Sequence, residues 1–286
     1  MRTPGPVPVV VGVNGTSSGL AAARLGAREA AARGQPLRIL HVFSWPGNRT
    51  FEDAPDWATA RHEAGLIVAR AVETASRTAP GVHVEGLLAD GLPVRELLRQ
   101  SRAAELIVLG DDDLTMSPRL PVDSVLVQTV ARARCPVVVA RGVRPPAGPL
   151  LAAVDGSPSS MLALRVAAAE ACRRKVAVEV VHVVDSPAAL AAGQRLLEST
   201  LAAVPELRGA RSRLLVGEVA PILVRASRRA RMMIVGPRGI GGGSLLGAVA
   251  QQLLHRCACP TVFVHGTPAG HRVPAGTVPS AGALMS

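Results

Sequence analysis

The sequence has no tyrosine, a single lysine and only 2% aromatic residues. Proteins that bind single-stranded nucleic acid stack bases on aromatic side chains, so this scarcity argues against that class. Four cysteines are too few and too scattered for a disulfide framework, which fits a reducing compartment. No uninterrupted apolar run approaches the roughly 18 to 20 residues of a membrane span, and the proline-rich N-terminus does not resemble a signal peptide. We therefore expect a cytoplasmic protein without a membrane span.

The positive charge is unevenly distributed along the chain. The formal net charge is +11, of which residues 1–141 supply +2 and residues 142–286 supply +9. Basic side chains attract phosphates and nucleic acids, although heavy use of arginine and alanine is also what genome composition produces. A nucleic-acid binder that uses the basic half is therefore the less favoured alternative, and it predicts an affinity that falls steeply with salt.

The chain contains an internal repeat. The segment at 9–34 is similar to the segment at 151–175, and the similarity continues into the later segments of both halves. The first copy has gained about 15 residues, mostly between positions 45 and 65, and two residues are missing from the glycine-rich loop of the second copy. Three pairs mark the register: Asn14 with Asp155 (offset 141), Gly110 with Gly236 (offset 126) and Cys135 with Cys259 (offset 124).

Each copy alternates apolar, β-branched runs with helical patterns. This alternation is typical of a parallel sheet with helices on both faces. We predict an α/β protein with two open five-stranded parallel sheets of Rossmann-like form, one in each copy. The predicted organisation is a domain at 6–141, a linker at 142–149, a second domain at 150–265 and a flexible tail at 266–286. The strands predicted for the second copy are Leu150–Val154, Val176–Val184, Ser212–Val216, Met232–Gly236 and Thr261–His265.

The stretch MIVGPRGIGGGSLLG, at 233–247, carries six glycines after a short apolar run. Glycines let backbone N–H groups converge on an anion, and a following helix adds its positive N-terminal end. A Walker A loop would need lysine after Gly241, and a dinucleotide fingerprint would need glycine at Ser244. Neither motif is present. The stretch predicts another kind of phosphate loop, after a fourth strand and facing the end of the first strand.

These motifs together resemble the universal stress protein family. In the second copy, VDGS stands at the end of the first strand and HVV at the end of the second. Gly236-x2-Gly239 follows the fourth strand and leads to Gly247 and a helix, and the dipeptide CP comes between this helix and the last strand. The resemblance covers both copies, so the chain is identified as a tandem member. It implies an adenine-nucleotide alpha-hydrolase-like fold, ATP as ligand, and pairing of the copies through their last strands as a pseudo-dimer. Pairing of whole chains as a homodimer is left open.

The resemblance implies an ATP site in the second copy. Asp155 would accept hydrogen bonds from the ribose, Val183 would present its backbone to adenine, and amides after Gly239 and Gly247 would surround the phosphates. Two features depart from the family pattern: only seven residues separate Gly239 from Gly247, and Ala248 stands where serine or threonine is expected. ATP is the predicted ligand, with Mg²⁺ left open as its companion. The predicted site residues are Val154, Asp155, Val183, Gly236, Arg238, Gly239, Gly247, Ala248 and Val249.

The first copy departs further from the family pattern. Asn14 replaces the aspartate, and Asp113 and Asp123 replace the two later glycines. The carboxylates at 111–113 would stand where phosphates go, and like charges at about 4 Å repel by on the order of 1 kcal/mol in water and more at lower dielectric. We predict that this copy does not bind ATP. The acidic triplet is interpreted as a solvated turn rather than a metal site.

Other conspicuous residues are given structural interpretations. His41 and His182 are predicted to be packed and hydrogen-bonded, and Cys257 and Cys259 lack the further ligands of a zinc site. No general base or arginine finger is identifiable, so at most slow ATP hydrolysis is expected. The predicted function is an ATP-binding stress-response sensor or regulator that acts on an unknown protein partner. A scaffold that binds no nucleotide is the main alternative.

Overall fold

The computed structural model describes residues 6–45, 56–111, 123–142, 147–239 and 246–265. Strands and helices alternate through both copies in these ranges. The strands are β1 (Val9–Gly12), β2 (Leu37–Phe43), β3 (Val84–Asp90), β4 (Leu106–Leu109), β5 (Val137–Val139), β6 (Leu150–Ala153), β7 (Val178–Val184), β8 (Arg211–Val216), β9 (Met232–Val235) and β10 (Thr261–Phe263). The helices are α1 (Ser17–Arg33), α2 (Trp57–Thr78), α3 (Pro93–Gln100), α4 (Val125–Arg132), α5 (Pro158–Arg174), α6 (Leu190–Ala202), α7 (Val219–Ser227) and α8 (Ala248–Arg256).

All ten strands belong to one sheet, in the order β3-β2-β1-β4-β5-β10-β9-β6-β7-β8. Within each copy the five strands are parallel, as the alternation predicts. The two halves meet where β10 pairs antiparallel with β5, with Phe263 opposite Val137 and Thr261 opposite Val139. The two predicted sheets are therefore the two parallel halves of one continuous sheet. The strands predicted in the second copy lie within two residues of the observed ones.

The central strands are apolar along their whole length because helices cover them on both faces. Val9, Val10 and Val11 of β1 have no exposed surface, as expected for a parallel sheet between two helical layers. The α1, α2, α5 and α6 side chains pack on one face, and those of α3, α4, α7 and α8 pack on the other. Both apolar cores contain residues of both copies, so the two halves share their cores. Among the described residues, no helix combines the length and apolar character of a membrane span.

The repeat is also visible in how equivalent helices begin and end. Thr16 caps α1 by accepting a hydrogen bond from the Gly19 amide at 3.1 Å, and Ser157 caps α5 in the same way. The helices end on Gly34 and Lys175, both with the left-handed backbone conformation. Gly34 tolerates this conformation better than Lys175 because it has no Cβ. The 141-residue offset thus holds for capping as well as for hydrophobic pattern.

A ring of four charged side chains joins α1 to α5. Glu29 and Arg33 of the first copy correspond to Glu170 and Arg174 of the second, and we call these four residues the charge ring. Each arginine pairs with the glutamate of its own helix and with that of the other helix. The glutamate side chains are 1% and 6% exposed, so the ring is largely removed from water. Burial alone would raise the pKa of Glu170, but the neighbouring positive charges of arginine lower it below its usual value.

Candidate functional site

A cavity opens at the carboxyl edge of the second half of the sheet. It has a volume of about 470 Å³ and lies between the ends of β6, β7 and β9 and the start of α8. Because β6 has β7 on one side and β9 on the other, the crevice lies where the strand order reverses, which is the usual ligand position in open α/β sheets. All nine predicted site residues line this one cavity: Val154, Asp155, Val183, Gly236, Arg238, Gly239, Gly247, Ala248 and Val249.

The apolar walls of the cavity include residues that the motifs did not indicate. Val219 and Leu223 of α7 face it from one turn apart, and Leu253 of α8 closes another side. The apolar spacing of four residues in α7 was a usable sequence signal, because residues four apart share a helix face. What the sequence alone could not show is that α7 packs over this crevice.

Gly239 lies directly against Asp155. A Cβ added to Gly239 would stand 2.5 Å from Oδ2 of Asp155, closer than van der Waals contact allows. The same carboxylate accepts a hydrogen bond from the Ser157 amide at 2.9 Å. Asp155, which follows β6, therefore lies next to Gly239 of the glycine loop. One ligand could contact both.

Gly236 allows the loop after β9 to approach the first turn of α5. A Cβ at Gly236 would stand 2.7 Å from Oγ of Ser159, and Ser159 donates a hydrogen bond to the Arg238 carbonyl. The first copy has the same close approach, because a Cβ at Gly110 would meet Ser18 at 2.5 Å. The equivalent glycines are thus explained by packing as well as by any ligand. Residues 240–245, which include Ser244, lie outside the described residues.

Among the described residues, no side chain caps the N-terminus of α8. Gly247 occupies the cap position, and Ala248, Val249 and Ala250 of the first turn line the cavity. In the first copy, by contrast, the hydroxyl of Ser124 caps α4 and lies 3.5 Å from the Val127 amide. Helix N-termini carry amide groups without intrahelical partners and a partial positive charge, which favours an anionic ligand. This cavity therefore offers an anion the uncapped end of α8, whereas the end of the equivalent helix α4 in the first copy is capped by its own serine.

Arg238 contacts both the cavity and the first copy. It lines the cavity, and its Nη2 lies 3.5 Å from the carbonyl of Ala131 near the end of α4. The charge of Arg238 also acts on His265, which hydrogen-bonds to the carbonyl of Val130. The cavity of the second copy therefore lies next to α4, the last helix of the first copy.

Burial, reinforced by the charge of Arg238, lowers the pKa of His265 to about 4. An unfolded histidine has a pKa of about 6.5, so below that pH the unfolded chain binds the proton more tightly than the folded one. We expect the free energy of unfolding to fall by about 2 to 3 kcal/mol as the pH is lowered from 6.5 to 4, beyond the background of other groups. Denaturant unfolding of wild type and H265Q across this range measures the difference. Parallel pH profiles for the two proteins would contradict this assignment.

The histidines of the second strands are packed and hydrogen-bonded, as predicted. Nδ1 of His41 donates to the Val13 carbonyl at 2.7 Å, and Nδ1 of His182 donates to the Val154 carbonyl at 2.8 Å. Each bond ties the second strand of its copy to the residue after the first strand. These histidines therefore position the backbone that lines each cavity.

The first copy has a smaller cavity, of about 270 Å³, at the equivalent place. Just outside its lining residues, the carboxylate of Asp111 accepts a hydrogen bond from Ser18 at 2.7 Å and pairs with Arg141 at 2.9 Å. The same arginine donates to the Leu254 carbonyl of the second copy. Asp111 is therefore a partly buried ion-pair partner, and its interpretation as part of a solvated turn is wrong. Asp112 and Asp113 lie outside the described residues.

Three of the four cysteines are buried, and among the described residues no cluster of three or more histidine, cysteine or acidic side chains could hold a metal. Burial raises the pKa of the Cys135 and Cys259 thiols to about 12, and it also raises that of Cys257. Only Cys172 is exposed.

We expect a thiol reagent such as DTNB to modify one cysteine per folded chain at pH 8, because only thiolates react and the buried thiols remain protonated. In the denatured protein the remaining three thiols should also react. The C172S variant is the control and should show no fast phase in the native state. A fast phase that persists in C172S would show that one of the buried cysteines is accessible.

Comparison with known proteins agrees with the repeat and the fold. The model of the universal stress protein family matches residues 8–141 and again residues 147–265. The universal stress protein Rv2005c of Mycobacterium tuberculosis is 34% identical over 89% of this chain and 95% of its own length, and Rv2623 of the same organism is 30% identical over the same shares. A universal stress protein structure from Archaeoglobus fulgidus has the same fold, with a TM-score of 0.70 and 15% identity over 91% of this chain and 99% of its own. The chain belongs to the universal stress protein family and carries two of its domains in tandem.

Proposed function

We propose that the protein binds ATP in the second cavity and acts in the cytoplasm as a stress-response regulator. The observation that carries this proposal is the second cavity itself, where a strand-one carboxylate, a glycine loop and a helix end without a side-chain cap line one volume of about 470 Å³. This volume lies in the range of small-molecule sites. The positive helix end and Arg238 are suited to phosphates, and the apolar walls are suited to a base.

Each part of the nucleotide has a group that fits it. Asp155 would accept hydrogen bonds from the ribose hydroxyls, and the backbone of Val183 would meet the adenine edge. The amides that follow Gly239 and Gly247 would bind the phosphates. A magnesium ion would be held mainly by the phosphates, with Asp155 as the nearest cavity carboxylate.

We infer a regulator rather than an enzyme from the chemistry of the cavity walls. Hydrolysis needs a residue that positions water and a group that neutralises charge in the transition state. Among the described residues, Asp155 is the one carboxylate that lines the cavity, and it is held against Gly239 and Ser157 in a position suited to ribose rather than to an attacking water. Occupancy of the cavity, rather than turnover, would then be the signal.

An exposed aromatic patch supports the idea of a protein partner. Trp45 and Trp57 are 43% and 51% exposed, and both rings lie within 6.5 Å of the Phe43 ring centroid. The chain has only these two tryptophans, and aromatic residues are enriched in protein interfaces. This patch is also the specific observation that favours the alternative function, a scaffold without nucleotide.

Two measurements on the 286-residue chain test the proposal. Native mass spectrometry of protein purified without added nucleotide would detect retained ATP, and calorimetric titration would detect binding in solution. We expect one ATP per chain, with an affinity that falls with salt much less steeply than that of a nucleic-acid binder. No retained nucleotide and no heat at millimolar ATP would instead support the scaffold. Binding of nucleic acid that weakens steeply with salt would support the basic nucleic-acid binder.

A further inference from the structure

A groove of about 990 Å³ lies between α7 and the face of the sheet that β6, β7 and β8 form. Leu151, Glu179 and Arg211 stand side by side in it, because their strands pair at these positions. Ile222 and Ala226 of α7 line it from the other side. The groove reaches residues that precede β6 and β7, so it extends to the sheet edge opposite the second cavity.

Exposed arginines dominate the charge of this groove, which we call the arginine groove. One acidic residue, Glu179, also lines it and pairs with Arg213 at 3.0 Å. Five arginines against one glutamate give a net charge of +4. Within the part of the chain that the structure describes, the other four arginines form no ion pair, so they are available to an anionic partner. The five arginines are Arg211, Arg213, Arg225, Arg228 and Arg229.

The equivalent surface of the first copy carries no net charge. Three arginines there stand against three acidic residues, and two ion pairs join Arg38 to Glu85 and Arg99 to Glu96. Both copies belong to one chain, so a general preference for arginine does not explain why the second is so much more basic. The aligned positions that are charged in either copy are Arg38, Glu85, Leu87, Asp90, Glu96, Arg99, Arg102 and Ala103 in the first, and Glu179, Arg211, Arg213, Val216, Ile222, Arg225, Arg228 and Arg229 in the second.

Helix electrostatics accounts for only part of this charge. Arg225 and Arg228 lie at the C-terminal end of α7, where the helix dipole favours cations, and they recur in the first copy as Arg99 and Arg102. The arginines of β8 have no such explanation. Like charges that are gathered on one surface repel each other, and a bound anion would remove this repulsion.

The arginine groove adjoins an unpaired strand edge. Among the strands that the structure describes, β8 is the last in the sheet and pairs only with β7. Its backbone N–H and C=O groups on the other side can therefore pair with a further strand. Side chains two residues apart on a strand share a face, so Arg211 and Arg213 face the groove, whereas Ser212 and Leu214 face the opposite side. A strand added beside β8 would place alternate side chains next to the two arginines.

We propose that the edge of β8 and the arginine groove bind an acidic, extended peptide segment of a partner protein as an added strand. Acidic side chains at alternate positions would pair with Arg211 and Arg213, and the intervening apolar side chains would pack on the face of Leu214. A nucleic acid has no main-chain groups that pair with a strand edge, and no aromatic side chain lines the groove. The proposal does not depend on the ATP site.

Fluorescence anisotropy with a labelled synthetic peptide tests the chemistry of the partner. The peptide has about eight residues, in which glutamate alternates with valine, so that its charges lie on one face of a strand. We expect it to bind the 286-residue chain at low ionic strength and to bind more weakly as salt is added. A peptide with glutamine in place of each glutamate should bind weaker by on the order of 10-fold or more. Equal affinities of the two peptides, or no binding of the acidic one at protein concentrations approaching millimolar, would overturn the proposal.

Two matched charge variants assign the binding surface. R211Q/R229Q removes two exposed arginines of the groove, and R99Q/R102Q removes two exposed arginines of the first copy. We expect R211Q/R229Q to weaken the acidic peptide by on the order of 10-fold and the control to change its affinity less than about twofold. Thermal unfolding checks that both variants fold. If both variants weaken the peptide equally, the attraction comes from the charge of the whole chain and not from this groove.

Two methylated peptides test the added strand without any change to the protein. The N–H groups of alternate residues in a strand point to the same edge, so N-methylation of one alternate set blocks pairing with β8, and methylation of the other set does not. We expect one methylated peptide to lose binding and the other to retain it. If both bind like the parent peptide, the segment does not join the sheet.

The remaining controls separate this proposal from the other functions. Duplex DNA that binds more tightly than the acidic peptide at the same salt, and that R211Q/R229Q weakens, would assign the groove to nucleic acid and overturn the peptide proposal. Arg211 and Arg229 do not line the second cavity, so R211Q/R229Q should bind ATP like wild type. Loss of peptide binding in this variant is therefore distinguishable from any failure of the ATP site.

Discussion

The exchange variant E29R/R33E is expected to lose about 3 to 5 kcal/mol of its free energy of unfolding. The exchange keeps the net charge and the pair within α1, but it places like charges against Glu170 and Arg174 of α5. Both contacts lie in the charge ring, where the glutamate side chains are at most 6% exposed. Because the ring is largely removed from water, solvent screens this repulsion poorly. Each buried charge also loses the oppositely charged side chain on the other helix. Guanidinium chloride unfolding at pH 7 measures the loss.

The fourfold exchange E29R/R33E/E170R/R174E is the matched control. It restores opposite charges at every contact of the ring, so most of the lost stability should return. Recovery will be incomplete, because Arg173 pairs with Glu170 at 2.6 Å and would then face an arginine. If the double and fourfold variants are equally unstable, the ring does not couple the copies electrostatically. If the double variant is as stable as wild type, the side chains of the charge ring are not buried in the way that the structure shows.

The fold could be predicted from the sequence because repeat and alternation constrain each other. The alternation of five strands with four helices in each copy allows few arrangements other than a parallel sheet, and the aligned pairs show the same pattern in both copies. The charge ring could not be predicted in this way. Glu29 and Arg33 are spaced as an ordinary surface pair on a helix, and only the packing of α1 on α5 removes them from water. The recurrence of this pair at Glu170 and Arg174 was the signal available.

The candidate site was predictable where it depends on short motifs. Gly236, Gly239 and Asp155 come from segments whose positions in a parallel sheet follow from the strand order, so the sequence places them together. The Asp111 and Arg141 pair was not predictable, because these residues lie 30 positions apart and meet only after β4 and β5 pair. Sequence reasoning therefore interpreted Asp111 as solvated, whereas the fold supplies it with a buried cation.

The variant G239D is expected to weaken ATP binding by on the order of 1,000-fold. Two effects act together. A Cβ at this position would stand 2.5 Å from Oδ2 of Asp155, so the strand-one carboxylate must move. The new carboxylate would also place negative charge at the edge where the phosphates are proposed to bind; in the sequence of the first copy, Asp113 stands at the aligned position. Calorimetric titration of the folded variant with ATP measures the effect, and it tests the loop without depending on catalysis.

Two variants separate charge from shape at this position. G239A adds the Cβ without the charge, so it should weaken ATP less than G239D, and the difference between them measures electrostatic repulsion. G81D adds the same charge at an exposed turn where a Cβ would meet nothing within 4 Å, and it should bind ATP like wild type. If G239D also binds ATP like wild type, the phosphates are not at this loop. If G239A and G239D are equally impaired, the displacement of Asp155 rather than charge controls the site. The glycine at 239 would then be required because it leaves the Asp155 carboxylate in place.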